Sequence, residues 1–202
     1  YMNRRSRPFL LGLTGSIGMG KSTTAGFFSR AGVPVWDADA AVHRLYAAEG
    51  AAVAPLAAFE PRARIPDGID RAALKARIAE DPGALAAIES IVHPLVAADR
   101  ADFIAGAGPD LLVLDIPLLF ETGADEAMDA TLVVTAPAEL QRRRVLARPG
   151  MTPAQFETIL ARQMPDREKR ARATHVIETL GLDAVREAVA ALIAYIREVH
   201  HA

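Results

Sequence analysis

Short apolar runs alternate with helically spaced segments along much of the chain. PFLLGLT (8–14), VPVW (33–36), LLVLDIP (111–117), ATLVVTA (130–136) and THVIET (174–179) read as five strands. The first is almost continuously apolar, as a strand buried on both faces must be. KSTTAGFFSRA (21–31) has helical spacing, and Gly32 closes it. From Asp183 the tail DAVREAVAALIAYIREV sets an apolar stripe opposite its Arg and Glu, the pattern of an amphipathic helix packed on a sheet. Strands alternating with helices predict βαβ units. The fold class is therefore α/β, with a five-stranded parallel sheet and helices on both faces.

The interval 40–110 breaks this rhythm. It is strand-poor, with helical patterns at 40–48, 50–59, 70–80, 83–92 and 94–105, separated by Pro61, Pro66, Gly68, Pro82 and Pro94. Asp70 is a good N-cap for RAALKARIAE. A smaller, arginine-rich insertion is predicted at 141–172, where RPGMT forms a turn and Thr152 caps a helix with Pro153 at its first position. The expected organisation is one domain: a core of 8–39, 110–140 and 173–202, a helical insertion over 40–109, and the insertion 141–172.

At 202 residues, 51% hydrophobic and 24% charged, the chain can bury a substantial core. A formal net charge of -2 argues against a dedicated nucleic-acid binder, which usually shows a basic footprint. The absence of cysteine excludes disulfides and thiolate zinc sites and fits a reducing cytoplasm. No run is long and apolar enough to predict a membrane span. NRRSRPFLLGLTG has the order of a twin-arginine signal, but its apolar part is short and runs straight into a motif that a mature protein needs. Tyr1 before Met2 reads as a remnant of expression.

That motif is GSIGMGKS, Gly15 to Ser22, which fits G-x-x-x-x-G-K-[ST] between a predicted strand and a predicted helix. Glycines such as Gly15, Gly18 and Gly20 allow a tight turn in which backbone N–H groups, that of Met19 included, converge on phosphates. The helix N-terminus adds partial positive charge. Lys21 reaches the β- and γ-phosphates of a nucleotide, and Ser22, with Thr23 beside it, offers a hydroxyl to Mg²⁺. Neither N-K-x-D nor an L-S-G-G-Q signature occurs, and Asp115 is followed by Ile and Pro rather than by a second acid that would activate water. A short chain with helical insertions then points to a small-molecule kinase.

Two acids stand out in VPVWDADAAVHR. Asp37 and Asp39 follow the second strand and should face the crevice that holds the phosphate loop. From position alone, helix capping and proton transfer are equally good readings. Asp115 ends an apolar strand, the place for a Mg²⁺-binding acid or for an ordinary strand-end cap. Arg144 and Arg148, four apart, are expected on one helix face.

GLTGSIGMGKST, GVPVWDAD, IVHP, LDIPLLFE, RRRVLARPGMT and RQMP occur in the order found in one family. The chain resembles the dephospho-CoA kinases over essentially its whole length. DAD after the second strand and PLLFE after the third are the discriminating parts, because many kinases share the phosphate loop. It departs from the family at Ser16 and Met19, and near the fifth strand, where RATHVIET stands for a pattern close to ADxVIxN and puts Thr174 and Thr179 at the polar positions.

The resemblance implies a fold like that of the nucleoside-monophosphate kinases. It implies transfer of the γ-phosphoryl of ATP, with Mg²⁺, to the ribose 3′-hydroxyl of dephospho-CoA. It assigns Asp39 as the base, with Asp37 orienting substrate or capping the next helix. It places His93 near the substrate, makes 141–172 a lid, and brings Arg144 and Arg148 onto the ATP phosphates. The helical insertion becomes the acceptor site. Two rivals remain at this point: a kinase of the same fold acting on a nucleotide, shikimate or gluconate, and a regulatory ATP-binding protein without phosphotransfer, which would give Asp39 no work.

Overall fold

A computed structural model describes residues 7–108 and 110–201. The Arg4–Arg5 pair and Tyr1, read above as signal-like and as a remnant, lie outside the described residues. The chain divides into two compact units. One runs to Trp36 and resumes at Ala107, and the other is Asp37–Gly106.

In the first unit, β1 (Phe9–Thr14), β2 (Val35–Asp37), β5 (Leu111–Asp115), β6 (Ala130–Thr135) and β7 (His175–Glu178) form a sheet in the order β2-β5-β1-β6-β7. The pairings of β1 with β5, β1 with β6 and β6 with β7 are parallel. β1 is therefore central, with Leu13 opposite both Asp115 and Leu132. Because strand side chains alternate between faces, Leu11 and Leu13 enter one core with Phe28 of α1 (Lys21–Arg30) and with Val185, Val189 and Ile193 of α9 (Leu182–His201). Gly12 points the other way, where a Cβ would lie 2.9 Å from Leu119 and Met128 side-chain atoms. On that face Thr135 donates from its hydroxyl to Asp166 of α8 (Asp166–Arg172), at 2.8 Å.

Between β6 and β7 the chain also forms α6 (Ala138–Leu146) and α7 (Pro153–Ala161). Thr152 caps α7 as its sequence predicts, and Gln155 completes the reciprocal pair of a capping box. Among the described residues, no helix is long and apolar enough to cross a membrane.

The second unit holds α2 (Ala38–Tyr46), α3 (Val53–Phe59), α4 (Arg71–Glu80) and α5 (Gly83–Ala105) around Leu45, Leu56, Leu74, Ile88 and Val92. Asp70 caps α4, accepting from the Ala72 N–H at 2.8 Å. Two local expectations are corrected. The strand-poor interval contains a two-stranded antiparallel ribbon, β3 (Arg64–Ile65) with β4 (Gly68–Ile69), and the Pro66 and Gly68 read as breakers lie in or beside its turn. The helices read as 83–92 and 94–105 are one helix that continues through Pro94. An interior proline removes the bond to the carbonyl four residues back, at about 3 kcal/mol. Here Ser90 and Pro94 lie on an exposed side of the helix, while Ile88, Val92 and Leu95 pack into the unit's core.

A charged cluster stitches this unit. Glu60 is buried, and Arg62 donates to both of its oxygens, at 2.8 and 2.9 Å, and to both oxygens of Glu80. The Arg62 hydrogen bonds hold the Glu60 carboxyl down at about 2. A carboxyl lowered in the folded state stabilises above its unfolded value of about 4.3 and loses that contribution as pH falls through its folded value. Glu60→Gln is therefore expected to lower the urea midpoint at pH 7, with a gap to the parent that closes between about pH 4.5 and 2. Circular dichroism in urea at several pH values checks this, and a gap independent of pH would remove Glu60 as its source.

Candidate active site

The end of β1 delivers the chain into a loop from Gly15 to Gly20, and α1 begins at Lys21. Gly18 (φ 75°) and Gly20 (φ 88°) are left-handed, and both are hemmed in. A Cβ on Gly18 would lie 2.5 Å from Val145 Cγ2, and one on Gly20 would lie 3.0 Å from Thr179 Oγ1. Gly20 is the N-cap of α1, and no side chain caps the helix. The amides of its first turn therefore look outward for acceptors, at the positive end of the helix dipole. Ser22 and Thr23 are exposed in that turn. Met19 is turned inward: its Sδ accepts from the Ala136 N–H at 3.1 Å, and its own N–H, expected among those aimed at phosphate, instead closes the loop onto the Ser16 carbonyl at 3.1 Å.

Lys21 Nζ donates to Asp115 Oδ1 in an ion pair. Asp115 is 2% exposed, so its charge needs such a partner. The pairing follows from topology, since Asp115 ends β5 directly beside the end of β1.

Arg144 lies on α6 and donates to the Thr179 hydroxyl at 3.0 Å, to the Thr179 carbonyl, and to the Gly18 carbonyl at 3.4 Å. The expectation that Arg148 shares its helix face is corrected. The helix ends at Leu146 with Ala147 as C-cap, and Arg148 is exposed in the following turn. The physical reason is local: the Pro149-Gly150 pair cannot propagate a helix.

Two residues absent from the sequence reading also hold the loop. Gln141 Nε2 donates to the Ile17 carbonyl at 2.9 Å, and Gln163 Oε1 accepts from the Ile17 N–H at 3.1 Å. Gln163 lies inside the RQMP stretch, which was one available signal; Gln141 sits among arginines with none.

In the second unit the two acids of DAD divide. Asp37 is the N-cap of α2, and its Oδ1 accepts from the Ala40 N–H at 2.9 Å. Asp39 is exposed in the first turn of α2 and makes no hydrogen bond or ion pair among the described residues. His93 is exposed on α5. No group of three or more His, Cys, Asp or Glu among the described residues could hold a metal by itself.

The sequence model of the dephospho-CoA kinases matches residues 9–182. The chain belongs to the dephospho-CoA kinase family. A dephospho-CoA kinase of Cereibacter sphaeroides is 67% identical over 192 residues, covering 95% of this chain and 98% of that one. One of Jannaschia sp. is 62% identical over 192 residues, covering 94% and 98%. Among solved structures, a protein of Thermus thermophilus is 38% identical with a TM-score of 0.82, over 94% of this chain and 98% of its own. The dephospho-CoA kinase of Campylobacter jejuni, at 20% identity, a TM-score of 0.64 and coverage of 94% and 97%, shares the fold. In this member of the dephospho-CoA kinase family, the loop after β1 is braced by Gln141, Arg144 and Gln163, and Lys21 pairs with Asp115.

Proposed function

We propose that the protein transfers the γ-phosphoryl of ATP to the ribose 3′-hydroxyl of dephospho-CoA, giving CoA and ADP. The observation that carries this reading is the match to dephospho-CoA kinases along nearly the whole chain. The residues supply a consistent chemistry. The open amides of the α1 first turn and Lys21 take the ATP phosphates. Asp115 and Ser22 are the residues to hold Mg²⁺. One carboxylate and one hydroxyl suit an ion that completes its shell with phosphate oxygens and water. When bound, Mg²⁺ neutralises charge on the transferring group.

Asp39 accepts the proton of the attacking hydroxyl as the oxygen bonds to the γ-phosphorus and the bond to the β-phosphate oxygen breaks. Asp37 keeps Asp39 at a defined place by capping α2. Arg144 and Arg148 are the lid cations for the phosphates, and the lid is the stretch 141–172. The unit Asp37–Gly106, with His93, is the acceptor-binding part. The partners are these two small molecules, and the place of action is the cytoplasm.

The test is ADP release with a panel of acceptors: dephospho-CoA, a nucleoside monophosphate, shikimate and gluconate. Dephospho-CoA is expected to stimulate release. Stimulation by another alcohol, with none by dephospho-CoA, would sink the reading.

A further inference from the structure

Thr179 follows β7 and is 5% exposed. Its backbone N–H is already committed to the Thr135 carbonyl, at 2.8 Å. Its hydroxyl has one proton and two acceptors in reach, Met19 O at 2.7 Å and Thr135 O at 3.2 Å. The shorter bond takes the proton, and the oxygen's lone pairs then accept from Arg144 Nη1 at 3.0 Å. One side chain therefore joins the last peptide of the phosphate loop to an arginine from α6.

The direction of that peptide has a consequence. A trans peptide is planar, with its C=O and N–H pointing to opposite sides. Holding the Met19 carbonyl against Thr179 turns the Gly20 N–H away from it. Gln141 does the same one turn earlier: by donating to the Ile17 carbonyl it turns the Gly18 N–H the other way. Neither the Gly18 nor the Gly20 N–H has a partner among the described residues. These two amides join those of the α1 first turn as donors open to a phosphate, and their aim is set by side chains outside the motif. Thr179 also fills the space beside Gly20, where its Cβ would lie 3.1 Å from any Cβ placed there.

We propose that Thr179 is a positioning residue for the donor nucleotide: its hydroxyl orients the Gly20 amide and steadies Arg144, as Gln141 orients the Gly18 amide. The proposal rests on the phosphate-loop part of the reading above and not on the identity of the acceptor. Its test therefore uses ADP binding, which needs no acceptor.

Thr179→Val keeps the shape and removes the hydroxyl; Thr179→Ser keeps the hydroxyl and removes a methyl. By calorimetry, Thr179→Val is expected to weaken ADP binding about tenfold, the size of one lost hydrogen bond. Thr179→Ser should stay within about twofold of the parent, and the KM for dephospho-CoA should move less than about twofold in either. ADP binding unchanged in Thr179→Val would overturn the proposal, and so would a Ser variant as weak as the Val variant, since packing would then be the cause. If Thr179→Val does not fold, Gln141→Met reads the same principle through Gly18. It is expected to bind ADP about tenfold more weakly, and unaltered binding overturns the proposal.

Discussion

Asp39→Asn is expected to lower kcat by about 10²–10⁴-fold while ATP binding stays close to that of the parent. An alcohol holds its proton far above neutral pH, so the attack on phosphorus gains from a carboxylate that takes the proton as the bond forms. Asparagine matches aspartate in shape and cannot accept that proton. Asp39 has no hydrogen bond or ion pair among the described residues, so the substitution breaks no such contact and removes from α2 only a favourable first-turn charge, worth about 0.3–1 kcal/mol. The cap of that helix is Asp37. Asp37→Ala supplies the contrast: it should cost about 0.5–2 kcal/mol of stability through the lost cap. Turnover, calorimetric ATP binding and melting temperature on both variants separate the roles. A fully active Asp39→Asn protein would remove Asp39 as the base.

The second large effect is structural. Lys169 on α8 is fully buried, and its Nζ lies 3.3 Å from Glu121 Oε2 in the segment after β5. Neither that nitrogen nor either Glu121 oxygen has an aligned hydrogen bond among the described residues. Their mutual charge is what compensates each of them. Lys169→Met leaves a carboxylate in a side chain that is 16% exposed with no counter-charge. The expected loss is about 3–5 kcal/mol, read from the urea midpoint. Removing both charges, with Glu121→Met added, should recover most of it, because replacing a buried pair by apolar groups of similar volume is often neutral. A single variant within about 1 kcal/mol of the parent would mean that the pair compensates little. In the sequence Glu121 merely closes PLLFE, and nothing there pairs it with a lysine far along the chain.

That contrast marks what is legible in a sequence of this kind. The five strands, α1 and the capped starts of α4 and α7 were readable because each depends on neighbours in the chain: apolar runs, a Ser/Thr/Asp cap, a proline at a first turn. Pro94 misled for the same reason. Its local cost is real, but exposure on one side and the core contacts of Val92 and Leu95 on the other outweigh it, and burial is not a local property. The β3–β4 ribbon was missed because two residues per strand leave no periodicity to detect.

The same division runs through the site. Sequence alone determined the phosphate loop, its lysine and its helix start, since that chemistry is built from consecutive residues whose backbone conformation glycine permits. It also narrowed the candidate base to two acids one residue apart. Tertiary structure decided which of them caps the helix, because the hydrogen bond from Ala40 reaches only Asp37. It decided that Lys21 rests on Asp115, because parallel pairing sets β5 beside β1. It decided that Gln141, Arg144 and Thr179 steer the loop's carbonyls. Those contacts join residues more than a hundred positions apart in sequence or on different elements. Hydrogen-bond direction across such distances depends on how the elements pack, and no spacing in the chain encodes it.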